Sequence, residues 1–431
     1  MSKFILFVRH AAALIREDKL FSSIYVAGTA VAIASAMVIA IVLNIMLANI
    51  YPETHRDRTL YVTTVHFKDS EADGAYHAGC SPLAIDELFS RLECVEVATG
   101  VRTDMQHITL KDSLTSDPSW RDCIYCDPRF FQLYDFHFLE GRPFNEQEFR
   151  NHEPVCVITE ALARKLGASL GSTLQISHGL FRVVGIVEGA SQLVGSSYAE
   201  CYTPYFLSDA ANSYEGGLSL RVLLKKGYSR EDFLKEVEPP RRHYEAAKTS
   251  AEGEPVHFVM DARSHFFVHM TFFNRDDEST TNKAKNLMPP AILMLIFLLL
   301  PALNLTGLVS NRMEARLPEM GIRKAFGAKR RTLLFEVIHE NLVLTLCGGL
   351  VGWLLSWLFI AAVRNSDFVR TVFLNGHAAT DGVAIELDMF FTPTLFLVVF
   401  LCCAVLNLMV ALIPAWHSLR RPIVESLSQK K

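Results

Sequence analysis

Residues 20–52 read LFSSIYVAGTAVAIASAMVIAIVLNIMLANIYP and contain no Asp, Glu, Lys or Arg. An α-helix needs about 20 mostly apolar residues to cross the hydrocarbon core of a bilayer. This stretch therefore predicts a transmembrane helix, which we assign to residues 21–49. A cleaved signal peptide is the alternative, but the apolar core of a signal peptide is only about half as long.

Three further stretches without charged residues lie in the C-terminal part of the chain, at residues 286–311, 341–363 and 389–419. Each is dense in Leu, Ile, Val, Phe and Ala, and lacks the polar stripe that buried soluble helices usually show. They predict transmembrane helices at 286–311, 333–363 and 389–413. The predicted fold class is a membrane protein with four transmembrane α-helices and a large domain inserted between helices 1 and 2.

Charged residues are distributed unequally along the chain. Lys and Arg are concentrated in an N-terminal amphipathic segment (1–20), in the loop 312–332 and in the tail 414–431, which predicts that these parts are cytoplasmic. Segment 50–285 carries 25 Lys+Arg against 35 Asp+Glu and is predicted to lie outside, as is the short loop 364–388. The net charge of −4 is a sum over these unlike parts, and the mean hydropathy of +0.21 is an average over them. A chain without an overall basic balance is not typical of nucleic-acid binding.

The large outer segment is predicted to be an α+β domain, because strand and helix patterns mingle in it without a βαβ rhythm. β-Branched and aromatic residues predict strands, and Ser or Thr caps followed by helix formers predict helices. The predicted strands are 61–67, 154–159, 173–177, 181–187 and 218–224, the two before the last forming a hairpin; the predicted helices are 81–91, 160–166 and 229–237.

Motifs that would indicate catalysis or nucleotide binding do not occur in the sequence. It contains no Gly-x-x-x-x-Gly-Lys-Ser/Thr loop, no HExxH and no Gly-x-Ser-x-Gly. We therefore expect no catalytic residue, no bound cofactor and no ATP site in this chain. His265 and His269 share a helical spacing, but no carboxylate accompanies them in a ligand pattern, so we expect no metal site either.

Six cysteines fall in the predicted outer domain, and two of them form a single CxxC pair, Cys123 and Cys126. An even number of cysteines in an oxidising compartment permits disulfides, and this pair is the candidate. The alternative is that the cysteines are small buried apolar residues.

Small residues recur at a spacing of four in two of the predicted spans, which lets helices approach closely. The positions are Gly28, Ala32, Ala36 and Ala40 in the first span, and Gly348 and Gly352 in the third. A packing face within the chain and a dimer face between two chains are both compatible with this pattern.

The basic loop 312–332 predicts a short helix over residues 318–326. Pro318 suits the first helical turn, Glu319 suits the positive end of the helix, and Gly327 suits its left-handed end. The residues predicted to form this coupling helix are Glu319, Met320, Gly321, Ile322, Arg323, Lys324, Ala325, Phe326, Gly327 and Ala328. A loop that only satisfies the topology rule or binds anionic lipid is the alternative.

This loop resembles a stretch found in the FtsX-like and MacB-like permeases of ABC transporters, which reads R-x-x-E-(I/M)-G-I-R-(K/R)-A-(L/F)-G-A. Arg316 and residues 319–328 occupy those places. Glu340 before a Gly-rich third span, the C-terminal Pro-Ala pair at 414–415 and the Pro-Ile-Val-Glu-Ser-Leu run at 422–427 are similar to the family as well. In the outer domain, Gly-Arg-Pro-Phe at 141–144 and FRVVGIV at 181–187 resemble the MacB-type periplasmic core domain.

The resemblance implies a non-catalytic permease subunit in the bacterial inner membrane, with both termini cytoplasmic and the large domain periplasmic. ATP and Mg would bind to a separate ATPase partner, and the coupling helix would sit on that partner. Two permease chains, identical or related, would pair, and the movement would pass to the periplasmic domains, for efflux or for handling of lipoproteins or other clients. A periplasmic adaptor, an outer-membrane partner and membrane lipid are further partners that the resemblance implies.

Two other classes of protein compete with the permease. A membrane-anchored sensor or receptor would use the outer domain to bind a ligand, but the sequence shows no kinase, cyclase or other output domain. A membrane enzyme would need a catalytic site, and no motif for one occurs. Within the family, activation of cell-wall hydrolases is disfavoured because the outer domain is too large for the small cell-division type.

Overall fold

The computed structural model describes residues 19–68, 76–111, 120–177, 179–191, 194–206, 215–247, 257–270, 318–363 and 393–420, together with single residues between 288 and 316. The chain forms two compact units. The membrane unit comprises residues 1–44, 287–364 and 387–431, and the outer unit comprises residues 45–286 and 365–386.

Helices occur in both units. They are α1 (Lys19–Leu47), α2 (Pro82–Ala84), α3 (Phe130–Leu133), α4 (Glu146–Arg150), α5 (Glu160–Leu166), α6 (Arg230–Ala247), α7 (His265–Met270), α8 (Arg330–Val363) and α9 (Pro393–Arg420). The strands, all in the outer unit, are β1 (Thr59–Lys68), β2 (Tyr76–Cys80), β3 (Val95–Leu110), β4 (Trp120–Cys126), β5 (Phe138–Gly141), β6 (Val155–Thr159), β7 (Thr173–Ile176), β8 (Gly179–Val187), β9 (Cys201–Pro204), β10 (Glu215–Gly216), β11 (Ser219–Leu224) and β12 (His257–Ser264).

Two of the described helices are long and apolar enough to cross a membrane, α1 over residues 19–45 and α8 over residues 330–362. Helix α9 carries a shorter apolar stretch, residues 394–409. Most of the predicted span 286–311 lies outside the described residues. The described part of the chain thus supports two of the four predicted spans by length and composition.

Helices α1 and α8 pack against each other through the small residues of α8. A Cβ atom added at Gly348 would lie 2.8 Å from Cβ of Thr29, and one added at Gly352 would lie 2.6 Å from the Ala30 carbonyl oxygen. Tyr25 and Thr345 share a hydrogen bond of 3.2 Å between their hydroxyl groups.

The small residues predicted on α1 are mostly buried: Ala32, Ala36 and Ala40 are below 10% exposure, whereas Gly28 is half-buried. The α1 atoms that meet the two predicted glycines of α8 belong to Val26, Thr29, Ala30 and Ile33. These residues are one or two positions away from the predicted ones, so the face of α1 that receives α8 is rotated from the Gly28–Ala40 stripe.

The outer unit is built around one twelve-stranded mixed sheet. Its main path runs in the order β10-β2-β1-β11-β3-β4-β9-β6-β8-β5, while β12 pairs with β1 and β7 pairs with both β3 and β8. Most pairs are antiparallel, but β4 with β9 and β6 with β8 are parallel. The outer unit thus contains both helices and a mixed sheet, which confirms the predicted α+β class.

Local sequence signals position several of these elements as predicted. The Ser81 side chain accepts a hydrogen bond of 3.1 Å from the Ala84 amide, and Thr159 caps α5 in the same way at 3.3 Å from Leu162. The hairpin of β7 and β8 is confirmed, with Ile176 opposite Gly179.

Two predicted helices of the outer unit have different bounds in the structure. The helix predicted over residues 81–91 is an α-turn followed by a π-turn that ends at Phe89. The helix predicted over residues 229–237 continues to Ala247 through two internal prolines. Arg241 stabilises this extension, since it forms ion pairs with Glu238 at 2.9 Å and Glu245 at 3.0 Å.

The candidate pair Cys123 and Cys126 forms no disulfide in the structure, where both residues are free thiols. Both lie on β4, three positions apart, and side chains alternate between the two faces of a strand. Cys123 therefore packs in one apolar cluster with Cys156 and Cys201, while Cys126 packs in another with Phe130.

We expect the six thiols of the outer unit to resist alkylation in the folded protein. All six are buried, and burial raises the pKa of Cys80 to about 12, so that almost none of its reactive thiolate is present at pH 8. A polar maleimide should label none of them in the folded chain and all six after denaturation without reductant. If only four of these six thiols are labelled after denaturation, a disulfide has formed between the other two.

Candidate coupling site

The short helix predicted in the basic loop is present in the membrane unit, where residues 318–325 are helical, whereas its coupling role stays a prediction. It ends as predicted at Gly327, which has φ of +91°. The amide of Ala328 donates to the Arg323 carbonyl at 3.0 Å, and that of Gly327 donates to Lys324 at 3.0 Å, the hydrogen bonds of a Schellman end. Residues 313, 314 and 316, which precede Pro318, are also helical, so the described residues do not place a helix start at Pro318.

Apolar residues anchor this segment on α1 and α8. Met320 is 8% exposed, and Met313 is 3% exposed. They belong to a buried cluster whose other members are Phe21 and Tyr25 of α1 and Leu333, Val337 and Leu344 of α8. The segment is therefore in direct contact with both helices.

Ion pairs hold the segment from its polar side. Arg323 donates to Glu319 at 2.7 Å and to both carboxylate oxygens of Glu336 on α8 at 2.9 Å. Glu336 is the main reason that the pKa of Arg323 is raised. Arg316 pairs with Glu340 at 2.7 Å, and the Glu340 side chain is only 8% exposed.

Two apolar side chains of the segment are exposed. Phe326 is 89% exposed and Ile322 is 49% exposed, whereas Met320 and Gly321 are buried. Glu319, Arg323, Ala325 and Gly327 are exposed, and Lys324 and Ala328 are half-buried. Burial, with a contribution from Arg330, lowers the pKa of Lys324. The segment thus combines a base fixed to α1 and α8 with a highly exposed aromatic side chain.

Sequence reasoning missed the partners that hold the segment. Glu336 lies 13 positions from Arg323, and Glu340 lies 24 positions from Arg316. These separations follow no helical or strand period, so no local pattern could have revealed the pairs. The acidic residues just before the third span were the only signal.

We also expect no metal site and no catalytic residue in the outer unit, where His265 lies. His265 is 2% exposed, and its Nδ1 lies 3.0 Å from the Tyr61 hydroxyl. Within the described ranges, His, Cys, Asp and Glu form no group of three or more that could hold a metal ion.

Two helices long and apolar enough to cross a membrane and a large mixed-sheet outer unit are the architecture of a membrane-integral protein with a large domain outside the membrane. Two family models match the chain: a MacB-like periplasmic core domain over residues 22–239, and an FtsX-like permease C-terminal domain over residues 291–423. The chain belongs to the MacB/FtsX-like family of ABC transporter permeases. Proteins of this family work with an ABC ATPase and are generally not enzymes themselves.

Curated relatives include two macrolide export ATP-binding/permease proteins MacB. The one from Pasteurella multocida is 24% identical over 308 residues, and the one from Escherichia coli K12 is 23% identical over 308 residues. Each alignment covers 70% of this chain and 42% of the relative. The chain therefore spans less than half the length of the curated relatives it matches.

Similar solved structures are single domains of such proteins. A domain of a putative permease from Porphyromonas gingivalis has a TM-score of 0.37 at 21% identity, covering 48% of this chain and 90% of that domain. The periplasmic region of MacB from Actinobacillus actinomycetemcomitans has a TM-score of 0.35 at 16% identity, covering 52% and 94% respectively.

Proposed function

We propose that this chain is the transmembrane subunit of an ABC transporter that works by mechanotransmission. An ATPase subunit would bind the segment 318–328, and its ATP-driven closure would move α1 and α8, and through them the outer unit. ATP and Mg would bind only to that partner. The observation that carries the proposal is the exposed Phe326 on a segment whose base is fixed to both helices.

The physical argument concerns what each side of the segment can do. A mobile loop would change its own shape when the ATPase displaces it. A segment fixed by two ion pairs and a buried methionine cluster would instead move together with α1 and α8. An exposed aromatic side chain next to basic residues is typical of the anchor residues of protein interfaces. Binding to anionic lipid would require only the basic residues of the segment and not the ion pairs that fix it to α8.

The cellular arrangement follows from the same proposal. Both termini and the coupling segment would be in the cytoplasm, and the outer unit would be in the periplasm of a bacterium with an inner membrane. Two permease chains, identical or related, would pair with two ATPase subunits. The named relatives are macrolide exporters, and we propose efflux or the handling of a periplasmic client such as a lipoprotein, with a periplasmic adaptor or an outer-membrane protein as a further partner.

Replacing Arg323 by alanine is expected to uncouple ATP hydrolysis from the outer unit while leaving membrane insertion intact. Both ion pairs of Arg323 are solvent-exposed, so their loss should cost at most about 1 kcal/mol of stability. The measurement is ATP hydrolysis by the co-purified complex, together with hydrogen exchange of the outer strands with and without ATP.

Arg331→Ala is the matched control, since Arg331 is an exposed basic residue in the first turn of α8. It should leave both readouts unchanged. An Arg323→Ala complex in which ATP still changes the exchange of the outer strands would contradict the coupling role. If no ABC ATPase co-purifies with the chain and ligand binding alters the outer unit without one, the protein is a receptor instead.

A further inference from the structure

The chain leaves α1 through a turn that is organised by one buried arginine. Arg56 is 2% exposed and lies in a 3-10 turn, Arg56–Arg58. Its guanidinium donates to the carbonyl of Ile45 at 2.7 Å and to that of Ala48 at 2.9 Å. The last carbonyl groups of a helix have no partner within the helix, and a cation there is favourable. Arg56 therefore holds the end of α1, whose residues from Ile45 onward belong to the outer unit.

The same guanidinium reaches two further acceptors. It donates to Glu53 at 2.7 Å, an ion pair in which both side chains are 1% exposed, and to the Val194 carbonyl at 3.3 Å. Val194 lies in the connection between β8 and β9. A single side chain thus connects the helix end to the connection between two sheet strands.

Glu53 connects this cluster to α7 and β1. One of its carboxylate oxygens lies 4.0 Å from Nδ1 of His265, which in turn contacts the hydroxyl of Tyr61 on β1. Burial raises the pKa of Glu53, and the charge of Arg56 opposes that shift. His265 begins α7, after which the chain continues toward the predicted span 286–311. The cluster therefore connects the turn after α1 with the start of α7 and with β1.

The turn itself is fixed on several sides. The Tyr51 hydroxyl donates to the Glu188 carbonyl at 3.0 Å, and the amide of Asp135 donates to the Pro52 carbonyl at 2.9 Å. Asn49 donates to Asp57 at 2.9 Å across the turn. A displacement of the end of α1 cannot be absorbed by this turn without breaking these bonds.

We propose that Glu53, Arg56 and His265 form a base joint through which movement of α1 reaches the outer sheet, with Arg56 as its positioning residue. This inference rests on the proposed function. Arginine is required because its planar fork presents donors in several fixed directions, whereas lysine carries one compact ammonium group. Lysine at this position would keep the charge but could not hold the helix end, Glu53 and the Val194 carbonyl together.

The test uses the full-length chain with its co-purified ATPase in lipid nanodiscs. Arg56→Lys is expected to retain ATP hydrolysis and to lose the ATP-dependent change in hydrogen exchange of the outer strands. Arg58→Lys is the matched control, because Arg58 lies two positions along and its guanidinium donates to Glu96 and to the Leu224 carbonyl, which are not members of the cluster. It should keep both properties.

Two results separate the inference from the function on which it rests. If Arg56→Lys keeps the ATP-dependent change, the base joint is overturned while the proposed function stands. If the wild-type complex hydrolyses ATP without any change in the outer strands, the proposed function itself fails, and the inference falls with it.

A second variant separates a mechanical role from a structural one. If Arg56→Lys unfolds the outer unit, the same measurement is made on Glu53→Gln, which keeps the shape of the side chain; a full ATP response in that variant would overturn the proposal.

Discussion

Replacing Phe326 by alanine is expected to weaken capture of the ATPase subunit about 30-fold, which corresponds to about 2 kcal/mol. The side chain is 89% exposed, so that its removal takes almost nothing from the packing of the chain itself. Aromatic anchors at the centre of an interface lose this much or more when they are truncated. The measurement is the affinity of the nanodisc-embedded chain for the purified ATPase.

The control is the same truncation at the far end of α8. Phe359 is 54% exposed, and it lies near the end of the apolar part of that helix. Phe359→Ala should leave ATPase affinity unchanged. If Phe326→Ala binds the ATPase as tightly as the wild type, the coupling segment docks through other residues, and the exposed aromatic side chain has no part in the interface.

The two ends of the coupling segment differ in how far sequence could predict them. Its end at Gly327 was predictable, because a left-handed residue is a local requirement that glycine meets best. Its start was not, because Pro318 is compatible both with a first turn and with a position after helical residues. The caps at Ser81 and Thr159 were predictable for the same local reason as Gly327.

Features that depend on the tertiary structure escaped sequence analysis. The pairing of Cys123 and Cys126 appeared plausible from spacing alone, but the strand places the two thiols on opposite faces. The base joint was missed because its members, Glu53 and His265, are more than 200 positions apart and neither lies in a motif. The helix of the candidate site was therefore predictable from the sequence, whereas the distant residues that hold it in place were not.

Gly352→Ala is expected to destabilise the membrane unit much more than Gly349→Ala, although the two changes are chemically identical and three positions apart on one helix. At Gly352 the new Cβ would lie 2.6 Å from the Ala30 carbonyl oxygen, a backbone atom that can move only if the helices separate. At Gly349 it would lie 2.5 Å from the ring of Phe400, a side chain that can rotate away. Overpacking that forces backbone shifts costs about 1–3 kcal/mol.

The comparison controls for helix propensity, since alanine is favoured over glycine to the same extent at both positions. Thermal unfolding of the full chain in nanodiscs should show a clearly lower midpoint for Gly352→Ala than for Gly349→Ala. Because the coupling segment rests on α1 and α8 together, Gly352→Ala should also reduce ATPase capture. Equal midpoints for the two variants would mean that α1 and α8 do not approach through Ala30, and the path from the coupling segment to α1 would have to run through other contacts.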